Sequence, residues 1–249
     1  MEWREQDGLR WLQAELPGAR AVFSSRLGGV SERQHEALNL GLLTGDDRGF
    51  VVENRHRLAQ ALELDPARVV IGRQVHGAEL ASHVEPQEPA HFATPGEAPP
   101  PAVDGHSTAE VDLALLVLVA DCVPIALSGP GGVAMLHGGW RGLAAGIVGK
   151  GAAAVEATHA AVGPAIGPCC FEVGEEVLAA FAPLGPGVSR GSHIDLRAAT
   201  SALLERAGVE QLEVSDLCTR CNPDLFFSHR GQGADSGRHA GMIWRTAER

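Results

Sequence analysis

The sequence predicts an α+β fold in which mixed β-sheets pack together, flanked by helices, as a single compact domain over residues 1–249. Three observations carry this expectation. Candidate strands and helices intermix without the strict alternation of a doubly wound sheet. No G-x-G-x-x-G motif follows a strand, which argues against a dinucleotide-binding version of that fold. The run Leu113–Ala120 (LALLVLVA) is apolar at every position, so its strand must be central and covered on both faces. At eight residues it is also far too short to span a bilayer.

The elements follow in order. Ala19–Ser25 reads as a strand, a run of apolar and β-prone residues bounded by turn residues. Asp46 or Asp47 caps a helix through roughly Leu64, with Val51, Arg55, Leu58 and Leu62 near 3.6-residue spacing. Val69–Gln74 is a second strand. Residues 85–103 (EPQEPAHFATPGEAPPPAV) hold six of the fifteen prolines. Proline fixes φ and lacks a donor, so this segment is a surface insertion or a linker. Chemistry-bearing residues lie on both sides of it, which favours a loop within one domain. Strands follow at Leu113–Asp121, Ile125–Ser128 and Gly132–Leu136. A helix is expected from Trp140 to about Thr158, with Gly142, Gly146, Gly149 and Gly151 weakening it but allowing close packing on a sheet. His159–Ile166 is a strand and Val173 to about Ala182 a helix. Asp195 caps a last helix through Ala207, stopped by Gly208, before a short strand at Leu212–Val214.

Composition narrows the function. A mean hydropathy of +0.00 with 45% hydrophobic residues describes a folded, soluble chain. The formal charge is −11, and the 20 basic residues include a single lysine, Lys150. No basic cluster is dense enough to track a phosphate polymer, which excludes a nucleic-acid polymer as the expected partner. The first residues (MEWREQDGLRW) are charged and lack the apolar stretch of a signal peptide, so a cytoplasmic protein with no membrane partner is expected. Five cysteines, an odd number, point away from a disulfide framework. The feature left to explain is 11 histidines and 5 cysteines.

Three segments present a reactive side chain where a strand ends: RQVHGAEL with His76, VLVADCVPI with Cys122 and AMLHGGWRG with His137. Two imidazoles and a thiolate suit zinc, and three protein ligands leave a fourth position open for water or substrate. The separations, 46 and 15 residues, match no compact metal motif. The residues alone therefore leave two readings open, an open metal site or two satisfied histidines and an inert cysteine. At HGGWRG a strand passes through a Gly-rich turn into a helix, and Arg141 there suits an anion or an ordinary surface ion pair. Cys218-Thr-Arg-Cys221 has no second pair at ribbon or finger spacing, which argues against a structural zinc. Cys169 and Cys170 read as small buried residues. No His-x-His pair exists from which to build a multicopper cluster.

Taken together, SSRLGGVSERQHEALNLG, ENRHRL, QVHG, VDGHST, ADCVPI, HGGWRGLAAGIV, AIGPCCFEVGEEV, DLCTRCNPDLFFSHR and SGRHAGMI resemble the laccase-domain (YfiH-type) family of purine nucleoside phosphorylases, formerly labelled polyphenol oxidases. The likeness runs over nearly the whole chain. It departs at Gly138, where the family has alanine, in a shortened AIGPCCFEVG loop, and in a longer proline-rich insertion that could partly cover the site. The resemblance implies that His76, Cys122 and His137 ligate zinc, with copper the lesser candidate. It implies phosphorolysis of adenosine or inosine to the base and ribose 1-phosphate, with methylthioadenosine phosphorolysis and adenosine deamination as companion activities. The implied partners are purine nucleosides and inorganic phosphate, bound by a monomer or small homo-oligomer. Arg141 and Arg26 are candidate phosphate ligands, Asp121 a partner for His76 or His137 or a proton-transfer group, and Asn39 and Asp104 candidates for the pocket. The rival reading is a metal-free thiol hydrolase or deamidase with Cys122 as nucleophile and His137 as base. A non-catalytic nucleoside-binding protein and a copper phenol oxidase stand behind it.

Overall fold

The computed structural model describes residues 1–96 and 98–246. Its strands are β1 (Glu2–Gln6), β2 (Leu9–Leu16), β3 (Ala19–Ser24), β4 (Val69–Ile71), β5 (Leu80–His83), β6 (Gly105–Thr108) and β7 (Ala114–Val119). They continue with β8 (Val123–Gly129), β9 (Gly132–Gly138), β10 (His159–Val162), β11 (Ser189–Arg190), β12 (His193–Ile194), β13 (Gln211–Val214) and β14 (His239–Arg245). The helices are α1 (Arg48–Ala61), α2 (Trp140–Ala144), α3 (Ile147–Val155), α4 (Glu175–Phe181), α5 (Leu196–Arg206) and α6 (His229–Gln232). None of the described helices is long and apolar enough to cross a membrane.

Two six-stranded mixed sheets, ordered β1-β2-β3-β14-β7-β4 and β13-β10-β8-β9-β6-β5, pack face to face. Between them lie Phe23, Leu115, Val117 and Ile243 from the first sheet, against Ala126, Val133, Met135 and Ala161 from the second. The outer face of the first sheet packs on α1 through Leu58, Leu116 and Met242. The outer face of the second packs on α3 and α5 through Leu127, Leu136, Ile147, Val155 and Leu204. β7 is apolar because both its faces are covered, with Leu115 and Val117 facing the second sheet and Ala114 and Leu116 facing α1.

Helix ends follow the expected chemistry. The Asp47 carboxylate accepts from the amides of Gly49 at 2.7 Å and Phe50 at 3.3 Å, so Asp47 is the cap of α1. Asp195 caps α5 in the same way through Arg197 and Ala198, at 3.0 and 3.2 Å. The single helix expected over Trp140–Thr158 is corrected to two, α2 and α3. Gly146 stands between them with φ +87°, a left-handed conformation that interrupts the helical ladder. The hairpin β1–β2, not anticipated as strands, turns on Asp7-Gly8, both at positive φ. Asp-Gly between two strand-forming runs is the signal that would have revealed it.

The proline-rich segment is a loop pinned at two points. Phe92 is fully buried against the core beneath α1. The Gln87 side-chain amide pairs with Ile71, accepting from its N–H at 3.0 Å and donating to its carbonyl at 2.9 Å, and so closes the free edge of β4.

Each aspartate cap should be separately measurable. Asp47→Ala and Asp195→Ala are each expected to lower unfolding free energy by about 1 kcal/mol with unchanged m-value in urea, and to add in the double variant. A double variant no less stable than either single one would contradict the assignment.

Candidate metal centre

The chain crosses from the first sheet to the second between β7 and β8, and Cys122 sits at that crossing. His137 is the penultimate residue of β9, and His76 lies on the loop that leaves β4. The fold thus gathers all three at the seam between the sheets. Their ligand atoms lie within 4.8 Å of one another, and the two imidazole rings meet edge to face at 4.9 Å. His137 is buried, Cys122 half-buried and His76 exposed, so the group opens on one side.

Asp104, fully buried at the start of β6, organises this geometry. One carboxylate oxygen accepts from His137 Nδ1 at 2.8 Å and from the His76 amide at 2.9 Å. The other accepts from the amides of Val75 at 3.0 Å and Gly77 at 2.8 Å. Those bonds hold His76 at φ +59°, a conformation a histidine rarely adopts. They also fix His137 with Nδ1 occupied and Nε2 free, the arrangement of a carboxylate–histidine–metal triad. The Gln74 side chain bridges the same loop to β7, donating to the Leu118 carbonyl at 2.7 Å and accepting from its amide at 2.8 Å.

Charge at the site follows from proximity. Burial opposes ionisation of Asp104, but the bonds from His137, Gly77 and Val75 hold its carboxyl below the ordinary value. Burial likewise opposes the Cys122 thiolate, yet the two neighbouring imidazoles bring its pKa down to about 6. His137 moves the other way, to about 9: its burial is outweighed by Cys122 and Asp104. Both shifts favour a thiolate–imidazolium pair in the metal-free site, and a thiolate is the form that binds metal. Gly139 completes the fit. A Cβ there would stand 2.9 Å from the His76 ring, 3.5 Å from Cys122 Sγ and 3.7 Å from the His137 ring, in the space between the ligands. Two imidazoles, a thiolate and a clear centre suit zinc with one position left open.

The trio borders a cavity of about 950 Å³. Its polar lining is basic although the chain carries a net charge of −11. Arg48, Arg73, Arg141, Arg230 and Arg238 contribute, against Asp121, Glu172 and Glu176. Arg141 also stacks on Trp140, its guanidinium carbon 4.3 Å from the ring centre. The proline-rich insertion supplies part of the wall through Pro95, Gly96, Ala98, Pro99 and Pro100.

Several expected site residues take different places. Arg26 does not line the cavity; its guanidinium donates to the carbonyls of Gln34, Glu36 and Pro223 and lies on the Phe227 ring, so it ties loops together. Asn39 is fully buried one layer behind the wall, where it accepts from the Arg238 amide at 2.8 Å and donates to Thr44 and Asp46. Asp104 orients His137 and is no part of the cavity surface. Asp121 does line it, but its carboxylate accepts from the Thr219 hydroxyl and the Arg230 amide, each at 2.6 Å, and bonds neither histidine. The orienting role expected of Asp121 belongs by geometry to Asp104. Sequence reasoning missed Gln74, Arg73, Arg230 and Arg238; the last two sit in the quoted SHR and SGRHAG segments, but only tertiary folding brings them to the cavity.

Comparison with known proteins places the chain among relatives. The family model described as multi-copper polyphenol oxidoreductase laccase matches residues 20–246. The chain is 37% identical to purine nucleoside phosphorylase YlmD of Geobacillus stearothermophilus, over 98% of this chain and 97% of that protein. It is 41% identical to a purine nucleoside phosphorylase of Streptomyces coelicolor, over 91% and 96%. The crystal structure of YlmD superposes with a TM-score of 0.86 at 36% identity, covering 98% of both chains. That of the hypothetical protein YfiH of Bacillus licheniformis gives 0.87 at 28% identity, over 98% and 99%.

Two measurements probe the centre. Asp104→Asn should weaken zinc binding by roughly 10–100-fold in chelator competition, because His137 loses the partner that fixes its tautomer; unchanged affinity would remove Asp104 from the centre. In metal-stripped protein, alkylation of Cys122 should rise with pH through about 6 and level off above it. Zinc should suppress the reaction, and a midpoint near that of a free thiol, about 8.5, would overturn the ion pair.

Proposed function

The chain belongs to the multi-copper polyphenol oxidoreductase laccase family, and from that premise we propose that it is a zinc-dependent purine nucleoside phosphorylase, converting inosine or adenosine and phosphate to the free base and ribose 1-phosphate. The observation that carries this reading is the His76–Cys122–His137 trio beside an arginine-lined cavity, in a chain whose relatives bear that name.

Phosphorolysis joins a phosphate oxygen to the anomeric carbon while the bond to the purine nitrogen breaks, and the departing base takes up a proton. The chain's residues match these needs. Among the described residues, Arg73 and Arg141 line the cavity with no ion-pair partner for their guanidinium groups, and either would hold phosphate by a bidentate contact. Leu118, Phe171 and Val173 give the apolar surface a purine ring requires. Asp121, fixed by Thr219 and Arg230, would accept a hydrogen bond from the ribose or take part in proton transfer. Asn39 and Asp104 act from behind, holding the wall and His137. Held by His76, Cys122 and His137, zinc would supply Lewis acidity. Methylthioadenosine phosphorolysis and adenosine deamination would use the same cavity.

The thiolate–imidazolium pair favours a second reading, the metal-free thiol hydrolase, in which His137 is the base that has taken the Cys122 proton, Cys122 attacks as thiolate and the imidazolium returns the proton to the leaving group. His76 separates the two. For the phosphorylase, base release from inosine should require phosphate, cease on chelation and return with zinc. His76→Ala should cost more than the ~10–100-fold typical of losing an outer hydrogen-bond partner. For the thiol enzyme, His76→Ala is tolerated and chelators do nothing. A metal-free preparation that gains no activity with added zinc would overturn the proposal.

A further inference from the structure

Four of the five cysteines lie outside the centre described above, and the fold brings them together. Cys169 and Cys170 follow the strand β10 on the Ile166–Phe171 turn; Cys218 and Cys221 lie on the loop after β13. Their sulfurs all fall within 4.8 Å of one another. Cys221 Sγ is 3.5 Å from Cys169 Sγ and 3.4 Å from Cys170 Sγ. The expectation that Cys169 and Cys170 are buried fillers is corrected: Cys169 and Cys221 are exposed, Cys170 is half-buried and only Cys218 is enclosed.

We propose that Cys169, Cys170, Cys218 and Cys221 form a second metal site, a closed structural zinc site of four thiolates. A tetrahedron with Zn–S bonds of about 2.3 Å has sulfurs about 3.8 Å apart, so the spacing found here needs only small adjustment to enclose the ion. A disulfide, at about 2.05 Å, would draw Cys221 Sγ about 1.4 Å closer to one neighbour and would join only two of the four sulfurs. Backbone geometry prepares the thiolates. The amides of Cys170 and Phe171 both donate to the Gly167 carbonyl, at 2.9 and 3.0 Å, making a tight turn that projects the adjacent cysteines. The Asn222 amide returns to the Cys218 carbonyl at 3.1 Å, making the matching turn at the C-x-x-C. The Gly167 amide donates to Cys218 Sγ at 3.2 Å. Such an N–H···S bond stabilises a sulfur that carries negative charge.

The site has a structural consequence. It would clasp the Gly167–Phe171 turn to the Ser215–Asn222 loop. The first runs directly into Phe171, Glu172, Val173 and Gly174, which line the cavity. The second carries Thr219, whose hydroxyl holds Asp121. With all four positions taken by protein, this zinc leaves none for substrate, in contrast to the open trio.

Native mass spectrometry of the full chain, purified under reductant with zinc supplied, tests the site without reference to activity. About two zinc ions per wild-type chain are expected, and about one in each of C169S/C221S and H76A. One zinc lost in C169S/C221S but kept in H76A supports this site and sinks the phosphorylase metal centre. One zinc lost in H76A but kept in C169S/C221S does the reverse. Should the double variant fail to fold, maleimide labelling of the wild type decides. The exposed Cys169 and Cys221 should resist labelling in zinc-loaded protein and react after chelation. Immediate labelling of both, or an intact mass showing a disulfide among the four, overturns the proposal.

Discussion

The Asp104 carboxylate is the point on which the site depends. It sits at the start of β6, in the second sheet, yet three of its four hydrogen bonds reach the Val75–Gly77 loop that leaves β4 in the first. The fourth goes to His137 on the neighbouring strand β9. One buried charge therefore fastens the sheets together at the seam and sets two ligands at once, one by its backbone and one by its ring. A fully buried carboxylate is tolerable only when its lone pairs are satisfied, and here four donors meet two oxygens. α2 presses on the same loop: a Cβ at Gly142 would stand 2.5 Å from the Gly77 carbonyl, so the helix after HGGWRG packs there only because residue 142 has no side chain.

Electrostatics separates the inside of the cavity from the rest of the molecule. The acidic excess is carried largely by the outer surface, while arginines converge on the cavity. Not all of them are available to a ligand. Arg55 is buried and donates to the carbonyls of Leu40, His91 and Phe92, so it props the proline-rich insertion against α1. Arg230 donates to the Glu172 carbonyl at 3.0 Å. The basic lining is thus divided between side chains that build the wall and side chains, Arg73 and Arg141, that face the open cavity.

How far the sequence foretold this structure depends on the range of each interaction. The covered strand β7, the cap Asp195 and the stop at Gly208 are local, and composition and spacing revealed them; for α1 they narrowed the cap to Asp46 or Asp47, and the structure selects Asp47. Gathering His76, Cys122 and His137 needed the resemblance as well, since strand ends say where a side chain is presented but not which ends meet. Arg26 was misread for the same reason. A glycine-rich turn with an arginine suits phosphate, but the carbonyls that engage Arg26 come partly from Pro223, 197 positions away. The cysteines are the sharpest case. Spacing rules look for two C-x-x-C pairs, whereas this chain supplies one such pair and one adjacent pair, united by the parallel pairing of β10 with β13 and the Ala165–Cys218 bridge.

The family description names copper, and the donor atoms bear on that name directly. A multicopper oxidase needs a histidine-rich cluster to hold several copper ions for oxygen chemistry. Among the described residues, histidine enters a metal-competent group only at His76 and His137. His83 and His106 do meet, at 3.1 Å between ring nitrogens, but burial lowers the pKa of both, and no third ligand joins them in a metal-competent group. Two imidazoles and one thiolate are the donors of a single zinc or a single copper, not of the several-copper cluster on which laccase chemistry runs. The arginine-lined cavity points the same way, because a phenol offers no anion for it to hold. The family description names several coppers, while the described residues gather one His–His–Cys group beside an arginine-lined cavity.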